Sequence, residues 1–308
     1  EHMEIFVNIL SEMIPLYVMM LLGYLSGKFF KVDTKHIATL AVFVISPVVF
    51  MLSVQKMQFS AGAIWAPVVM MLLGIGISLI VLNITKLYMG DKTPYLSALM
   101  SGTSNWGYFG MPLAFALFDP NIVALYVLIG FGTHLFENSF GIYYISRGSF
   151  SPLESFKNIF KFPVIYAILI GLCLSYFNYQ LPVLDDDFFQ YFKGAYVVLG
   201  MMIIGLGIAN MERFTIDKSF IATVFAVRFV IWPLIAVSYI WFDKNIVTIL
   251  GEDFYKPLLL FSVMPMGANN IAFAAKFDMN PGKASVAALA STFFAMLYVP
   301  LALNFLDL

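Results

Sequence analysis

The sequence predicts an all-α polytopic membrane protein, with ten transmembrane helices in two inverted five-helix repeats and crossed, interrupted helices 4 and 9. Three observations lead there. The 308 residues are 61% apolar and 11% charged, where a soluble domain runs about 45–50% and about 25%. Apolar stretches long enough to span a bilayer recur along the whole chain. Two of those stretches carry clusters of Gly, Pro and Asn at matching places in the two halves. A soluble protein this size has too much surface to cover with so few charges, and mean hydropathy is +0.89. A soluble enzyme, a nucleic-acid binder and a disordered chain are thereby excluded. A net charge of −1 offers no basic face for nucleic acid.

Crossing about 30 Å of hydrocarbon takes roughly 20 helical residues. Stretches of that order begin near residues 4, 36, 61, 94, 120, 161, 190, 218, 254 and 284. Glu1, His2 and Met3 read as a cloning remnant ahead of the native start. The first stretch is too long for a signal peptide and lacks a small-residue cleavage site, so it reads as a retained span. It carries Glu12 and Pro15, as a kinked helix near the outer interface would. The second holds Ser46-Pro47, the third Pro67. The fourth is interrupted, the fifth carries His134 and Glu137, and the sixth holds the one cysteine, Cys173, expected as inert packing. The seventh is unbroken. The eighth carries Arg228, the ninth is interrupted, and the tenth contains Pro300. The polar breaks between them are short, the longest inner one being 147–161. A membrane β-barrel would alternate polar and apolar residues, and this chain does not.

Cytoplasmic loops carry an excess of Lys and Arg. With the N-terminus outside, twelve of the seventeen Lys and Arg, Arg147 and Arg213 among them, fall in inner loops and four in outer ones. The split favours both termini outside. Ten helices divide at 147–161 into residues 1–150 and 151–308, and an odd number per half inverts the second. Leu22-Gly23-Tyr24-Leu25-Ser26 resembles Ile170-Gly171-Leu172-Cys173-Leu174-Ser175. Leu113-Ala114-Phe115-Ala116 resembles Ile271-Ala272-Phe273-Ala274. Inverted repeats of this kind build many secondary transporters.

The fourth stretch contains Asn105-Trp106-Gly107-Tyr108-Phe109-Gly110-Met111-Pro112, and the ninth Pro265-Met266-Gly267-Ala268-Asn269-Asn270. Proline removes a backbone donor and clashes with the preceding turn; glycine permits unusual backbone angles; asparagine can start a new half-helix. Unwound backbone at bilayer depth survives only when buried in protein or lining a wet cavity. Two such breaks at equivalent positions point to a transporter's binding site. The second halves are expected to begin near Pro112 and Ile271. Helix N-termini carry unpaired amides and partial positive charge, so two crossing at one level suit an anion, most simply a carboxylate.

The patterns Asn105-x-Gly107-x-x-Gly110-x-Pro112 and Pro265-x-Gly267-Ala268-Asn269-Asn270 resemble those of the auxin efflux carrier family. That family includes bacterial carriers and the plant PIN proteins, within a wider group shared with bile acid/sodium symporters. The resemblance covers essentially the whole chain. It implies an elevator-type carrier of organic anions such as malate, malonate or an auxin-like acid. A transport domain (about 61–146 and 218–306) would move against a scaffold (about 4–58 and 161–212), through which a homodimer forms in the cell membrane. Ser46 and Asn138 are expected at the cavity because the family's site draws on those helices. The plant members' long hydrophilic loop between helices 5 and 6 is absent here.

His134 and Glu137 lie three apart, hence on one face of the fifth helix. Glu137 and Arg228 each lie ten residues from an inner-loop cation, which is about 15 Å of helix. Charges at that depth are functional by default. Three readings stand: a fixed Glu137–Arg228 pair, an Arg228 that senses a carboxylate, or a Glu137, with or without His134, that takes up a proton. His134-x-x-Glu137 has a metal-site spacing, but no second ligand pair accompanies it and no metal or cofactor is expected. Thr103, Ser104, Asn105 and Thr292 offer oxygens to a sodium ion. No acid pair, two-histidine zinc motif or buried Asp cluster marks an enzyme. Asp185-Asp186-Asp187 falls in an outer loop. An anion channel or a ligand-sensing receptor on the same fold is the alternative to a carrier.

Overall fold

The computed structural model describes residues 2–146, 151–182, 184–211 and 215–306. Arg147 and Arg213, counted above among the inner charges, lie outside them, as does Glu1. No strand occurs among the described residues. The helices are α1 (His2–Phe30), α2 (Thr34–Gln55), α3 (Ala61–Thr85), α4 (Thr93–Gly102), α5 (Met111–Leu117), α6 (Pro120–Ile145), α7 (Pro163–Tyr176), α8 (Asp186–Ala209), α9 (Lys218–Val247), α10 (Tyr255–Val263), α11 (Asn269–Lys276) and α12 (Pro281–Phe305). A short helix, Pro152–Lys157, precedes α7.

Seven of these, α1, α2, α3, α6, α8, α9 and α12, are long and apolar enough to cross a membrane. The sixth apolar stretch makes a helix of only 14 residues, about 21 Å at about 1.5 Å per residue and short of a bilayer core. It stops at Asn178, whose left-handed backbone (φ 50°) lets Tyr179 N–H reach back to the Leu174 carbonyl. Helix starts follow local chemistry. Asp33, Asp119, Asp185 and Asp217 each accept from backbone N–H groups in the first turn that follows, satisfying donors that a helix N-terminus leaves open.

Four long helices or helix pairs contain a wide π turn within their length, at Ala41–Ile45, Trp106–Gly110, Glu137–Gly141 and Val227–Ile231, and a fifth, Asp243–Val247, ends α9. Three of them are followed, two residues on, by Pro47, Pro112 and Pro233. A proline cannot return an N–H to the preceding turn, and a widened turn absorbs the mismatch without breaking the helix. Each of the first four contains or adjoins a polar residue singled out in the sequence: Ser46, Asn105, Glu137 with Asn138, and Arg228.

α1 packs most extensively on α8, α7 on α2, and α3 on both α4 and α6. Small residues make the closest crossings, as membrane helices require for tight packing. A Cβ on Gly23 would overlap the backbone of Met202, and one on Gly205 the Met20 carbonyl. On the other side, a Cβ on Gly171 would stand 2.7 Å from the Met51 carbonyl. Cys173 does not pack inside. It is exposed on an outward apolar groove with Leu169, Leu174 and Phe177, because the buried side of α7 is taken by Gly171 and Ser175.

Candidate functional site

The two interruptions meet backbone to backbone. α4 ends at Gly102, and Thr103 turns extended (φ −116°, ψ 162°). Asn105 N–H then donates to the Pro265 carbonyl at 2.8 Å, which joins the break after α4 to the break after α10. The Asn270 amide donates to Thr103 Oγ1 at 2.8 Å, and Met266 N–H donates to Ser291 Oγ of α12 at 3.1 Å. Gly267 also passes close to the other break, since a Cβ there would lie 3.2 Å from the Ser104 carbonyl. Helix resumes at Trp106, earlier than the expected Pro112, because the π turn from Asn105 (Gly110 N–H to the Asn105 carbonyl, 3.0 Å) precedes the proline and tolerates its missing donor. On the other side helix resumes at Asn269, two residues ahead of Ile271.

Arg228 is completely buried and does not meet Glu137. Its Nη2 donates to the carbonyls of Phe261 (2.9 Å) and Ser262 (2.7 Å), and its Nη1 to that of Thr103 (3.3 Å). Trp232, one turn further along α9, donates its indole N–H to the Ser101 carbonyl at 2.7 Å, and the guanidinium lies 5.0 Å from the Trp232 ring centre. These four carbonyls stand at or just past the C-terminal ends of α4 and α10, where helix carbonyls have no partner and partial negative charge collects. Arg228 therefore balances the negative ends of both first half-helices. The pair with Glu137 does not form, because Nη1 and Nη2 are directed at these carbonyls, and Arg228 does not border the cavity described next.

The positive ends face elsewhere. A cavity of about 280 Å³ is lined by the starts of both second halves, 104–108 and 267–269. Helix α6 contributes His134, Glu137 and Asn138; α2 contributes Ser46 and Phe50; α8 contributes Tyr196. Phe162 and Phe273 complete apolar walls. Glu137 is 5% exposed and Asn138 2%. The Asn269 side chain lies against the Glu137 carboxyl. Among the described residues no Lys, Arg or His forms an ion pair with Glu137. Three buried polar atoms of the lining have no partner: Ser104 Oγ, which can donate or accept, Asn105 Nδ2, a donor, and Asn138 Oδ1, an acceptor.

Of the residues singled out in the sequence, Ser46, Asn105, Gly107, His134, Glu137, Asn138, Gly267 and Asn269 border this cavity. Gly110, Pro112, Pro265, Asn270 and Arg228 do not; they build the crossover behind it. Gly110 leaves room for Tyr126, whose hydroxyl donates to the Trp106 carbonyl at 3.1 Å. Pro265 and Asn270 tie the two breaks together as described. Sequence reasoning missed Phe50 and Tyr196 as walls. Phe50 follows Ser46 by four residues and so shares its face; Tyr196 carried no comparable signal. Thr103 and Thr292, offered for sodium, instead bond Asn270 and the Ala288 carbonyl (2.9 Å).

A second, mainly apolar cavity of about 250 Å³ opens on the other side of α11. Val42, Tyr108, Ala268, Asn269 and Ala272 border both, so the partition between the two is one or two side chains thick.

A family model described as "Membrane transport protein" matches residues 8–150 and 152–303. Among curated proteins, none matches.

Proposed function

We propose, from the premise that the chain belongs to the membrane transport protein family, that it is a secondary active or facilitative carrier of a small organic anion bearing a carboxylate. The observation that carries this reading is the cavity at the crossover. Two half-helix starts supply open N–H groups there, the Asn105 amide supplies a donor without a partner, and Arg228 holds the opposing negative ends away. Helix N-termini bind carboxylates and phosphates by this combination of amides and dipole, and discontinuous membrane helices present it in many carriers.

The finer architecture is part of the same proposal: ten passes, formed by the seven long helices, α7, and the two interrupted pairs α4–α5 and α10–α11. The inverted repeat draws support from Gly23 and Gly171, matched in the sequence. Each makes the close crossing of the first helix of its half, α1 on α8 and α7 on α2. A division into scaffold and moving part draws support from charged ties that stay within each group, while two neutral bonds, the Tyr17 hydroxyl to the Thr292 carbonyl (2.6 Å) and Gln58 N–H to Asn121 Oδ1 (2.7 Å), cross between the groups and would break as one slides. Lys56–Asp186 (2.6 Å) joins α2 to α8. Lys283 bonds both Asp217 and Thr93 (2.8 Å each), and Lys92 bonds Asp278 (2.9 Å), gathering α4, α9, α11 and α12. In this reading the second group slides as a body, and the thin partition between the two cavities separates the two sides. Both termini lie outside the cell membrane, and the scaffold forms a homodimer. An anion leaving a cell that is negative inside gains about 2.3 kcal/mol per charge per 100 mV, so export needs no coupling ion.

The test is uptake of labelled carboxylates into proteoliposomes with imposed voltage, proton and sodium gradients in turn. Saturable counterflow supports a carrier. Flux that rises linearly with concentration supports the channel alternative, and binding without flux the receptor.

A further inference from the structure

The cavity offers more to its cargo than a place for a carboxylate. Beside the two half-helix starts the same cavity carries acceptors on α6. Glu137 is buried at the cavity wall without a cationic partner, and the groups facing it are the Asn269 amide from α11, the Tyr108 ring from the 106–110 turn, and His134 one turn back on its own helix. Asn138 donates its Nδ2 to the His134 carbonyl at 3.0 Å. A carbonyl can only accept, so this bond fixes which way the amide points and leaves Oδ1 as the free atom. The cavity thus carries surplus donors (Asn105 Nδ2, open N–H groups and the Ser104 hydroxyl, which can also accept) and surplus acceptors (the Glu137 carboxylate and Asn138 Oδ1). A plain carboxylate satisfies only the first. Protonating Glu137 would cancel its charge, yet would leave Asn138 Oδ1 without a donor. A primary ammonium, with three donors and a positive charge, satisfies both acceptors at once.

We infer that the cargo is a small amino carboxylate, its carboxylate held at Asn105 and the half-helix starts and its ammonium at Glu137 and Asn138. This rests on the carrier reading above and changes the charge of the cargo: a zwitterion has no net charge, so the voltage drive given for an anion does not apply to it. Buried polar groups left unpaired make a site reject analogues that lack the matching group. The ammonium should therefore be worth about tenfold or more in competition.

The test uses wild-type protein in proteoliposomes and two matched series of acids. L-phenylalanine, L-phenyllactate and 3-phenylpropionate differ only in carrying ammonium, hydroxyl or hydrogen at one carbon, and so do L-alanine, L-lactate and propionate. In each series the ammonium compound is expected to be taken up with a KM at least about tenfold lower than its counterparts. Glu137→Gln is expected to erase that gap by raising the KM of the ammonium compound more than that of its hydroxy and plain counterparts. Hydroxy or plain acids moving as well as, or better than, the amino acid in wild-type protein would overturn the inference. So would one proton entering with each plain acid, which would make Glu137 a proton carrier. In both of those outcomes the carrier reading stands. Saturable uptake of none of the six acids would also overturn the inference, and the carrier reading would then be decided by counterflow of the other carboxylates.

Discussion

Replacing Arg228 by Met keeps the volume and apolar stem of the side chain and removes its donors. The carbonyls of Phe261, Ser262 and Thr103 then face a dry interior with no partner from this residue. A buried carbonyl left unsatisfied costs about 1–3 kcal/mol, so three set a loss of about 3–9 kcal/mol. Relief of the guanidinium's own desolvation, several kcal/mol, offsets part of it. A net destabilisation of about 3 kcal/mol remains, together with loss of contact to the Trp232 and Phe261 rings. The assay is thermal melting of detergent-solubilised protein by size-exclusion recovery, with counterflow measured beside it. Arg228→Met should melt several degrees lower and transport poorly. Arg228→Lys should fall between, because one ammonium cannot span carbonyls from both half-helices. If Arg228→Met melts within a degree of wild type and transports normally, the half-helix ends do not depend on this residue and the reasoning is wrong.

Asn105→Ala should raise the KM for carboxylate at least about tenfold, as loss of a direct donor does, with melting little changed. Asn270→Ala should instead lower melting and Vmax together, since its amide bonds Thr103 rather than lining the cavity. The Asp217 carboxyl is held below its ordinary value of 3.8 mainly by its bond from Lys283, then by the Phe220 N–H. A depressed carboxylate stabilises fully above its unfolded value and loses that contribution as pH falls through the folded one. Melting of wild type should therefore drop as pH is lowered below about 4, and Asp217→Asn should start lower at pH 7 and show less of that drop; an identical pH profile in the variant would refute the linkage. Gly205→Leu should abolish recovery of folded protein, because no side chain fits against the Met20 backbone; normal recovery would contradict the packing of α1 on α8.

The fold was legible where bilayer physics acts on composition. Apolar stretches of the right length announced themselves, and the Asp residues that start four helices stood in view at their boundaries. The interruptions were legible because Gly, Pro and Asn have few reasons to cluster at bilayer depth. Their register was not. Helix resumes at Trp106 because a π turn takes up the mismatch caused by Pro112, and nothing in a one-dimensional pattern distinguishes a widened turn from a break. Arg228 shows the same limit. Its depth could be counted along the chain, yet its partners are carbonyls, which every residue carries and no sequence marks. Glu137 and Asn138 both border the cavity, but the free acceptor on Asn138 depends on one bond to the His134 carbonyl. The exposure of Cys173 turned on which face of α7 Gly171 and Ser175 occupy.

The claim on which the rest depends is that cargo occupies the cavity at the crossover. Cys173 is the chain's one cysteine, so Cys173→Ser gives a background in which Ser46→Cys places a single thiol on the cavity wall. The measurement is its labelling rate by a water-soluble maleimide in proteoliposomes as transported carboxylate is titrated in. The account predicts that labelling slows in a saturable way, with the same half-saturating concentration as transport. Transport that saturates while labelling of that thiol stays unchanged would contradict it.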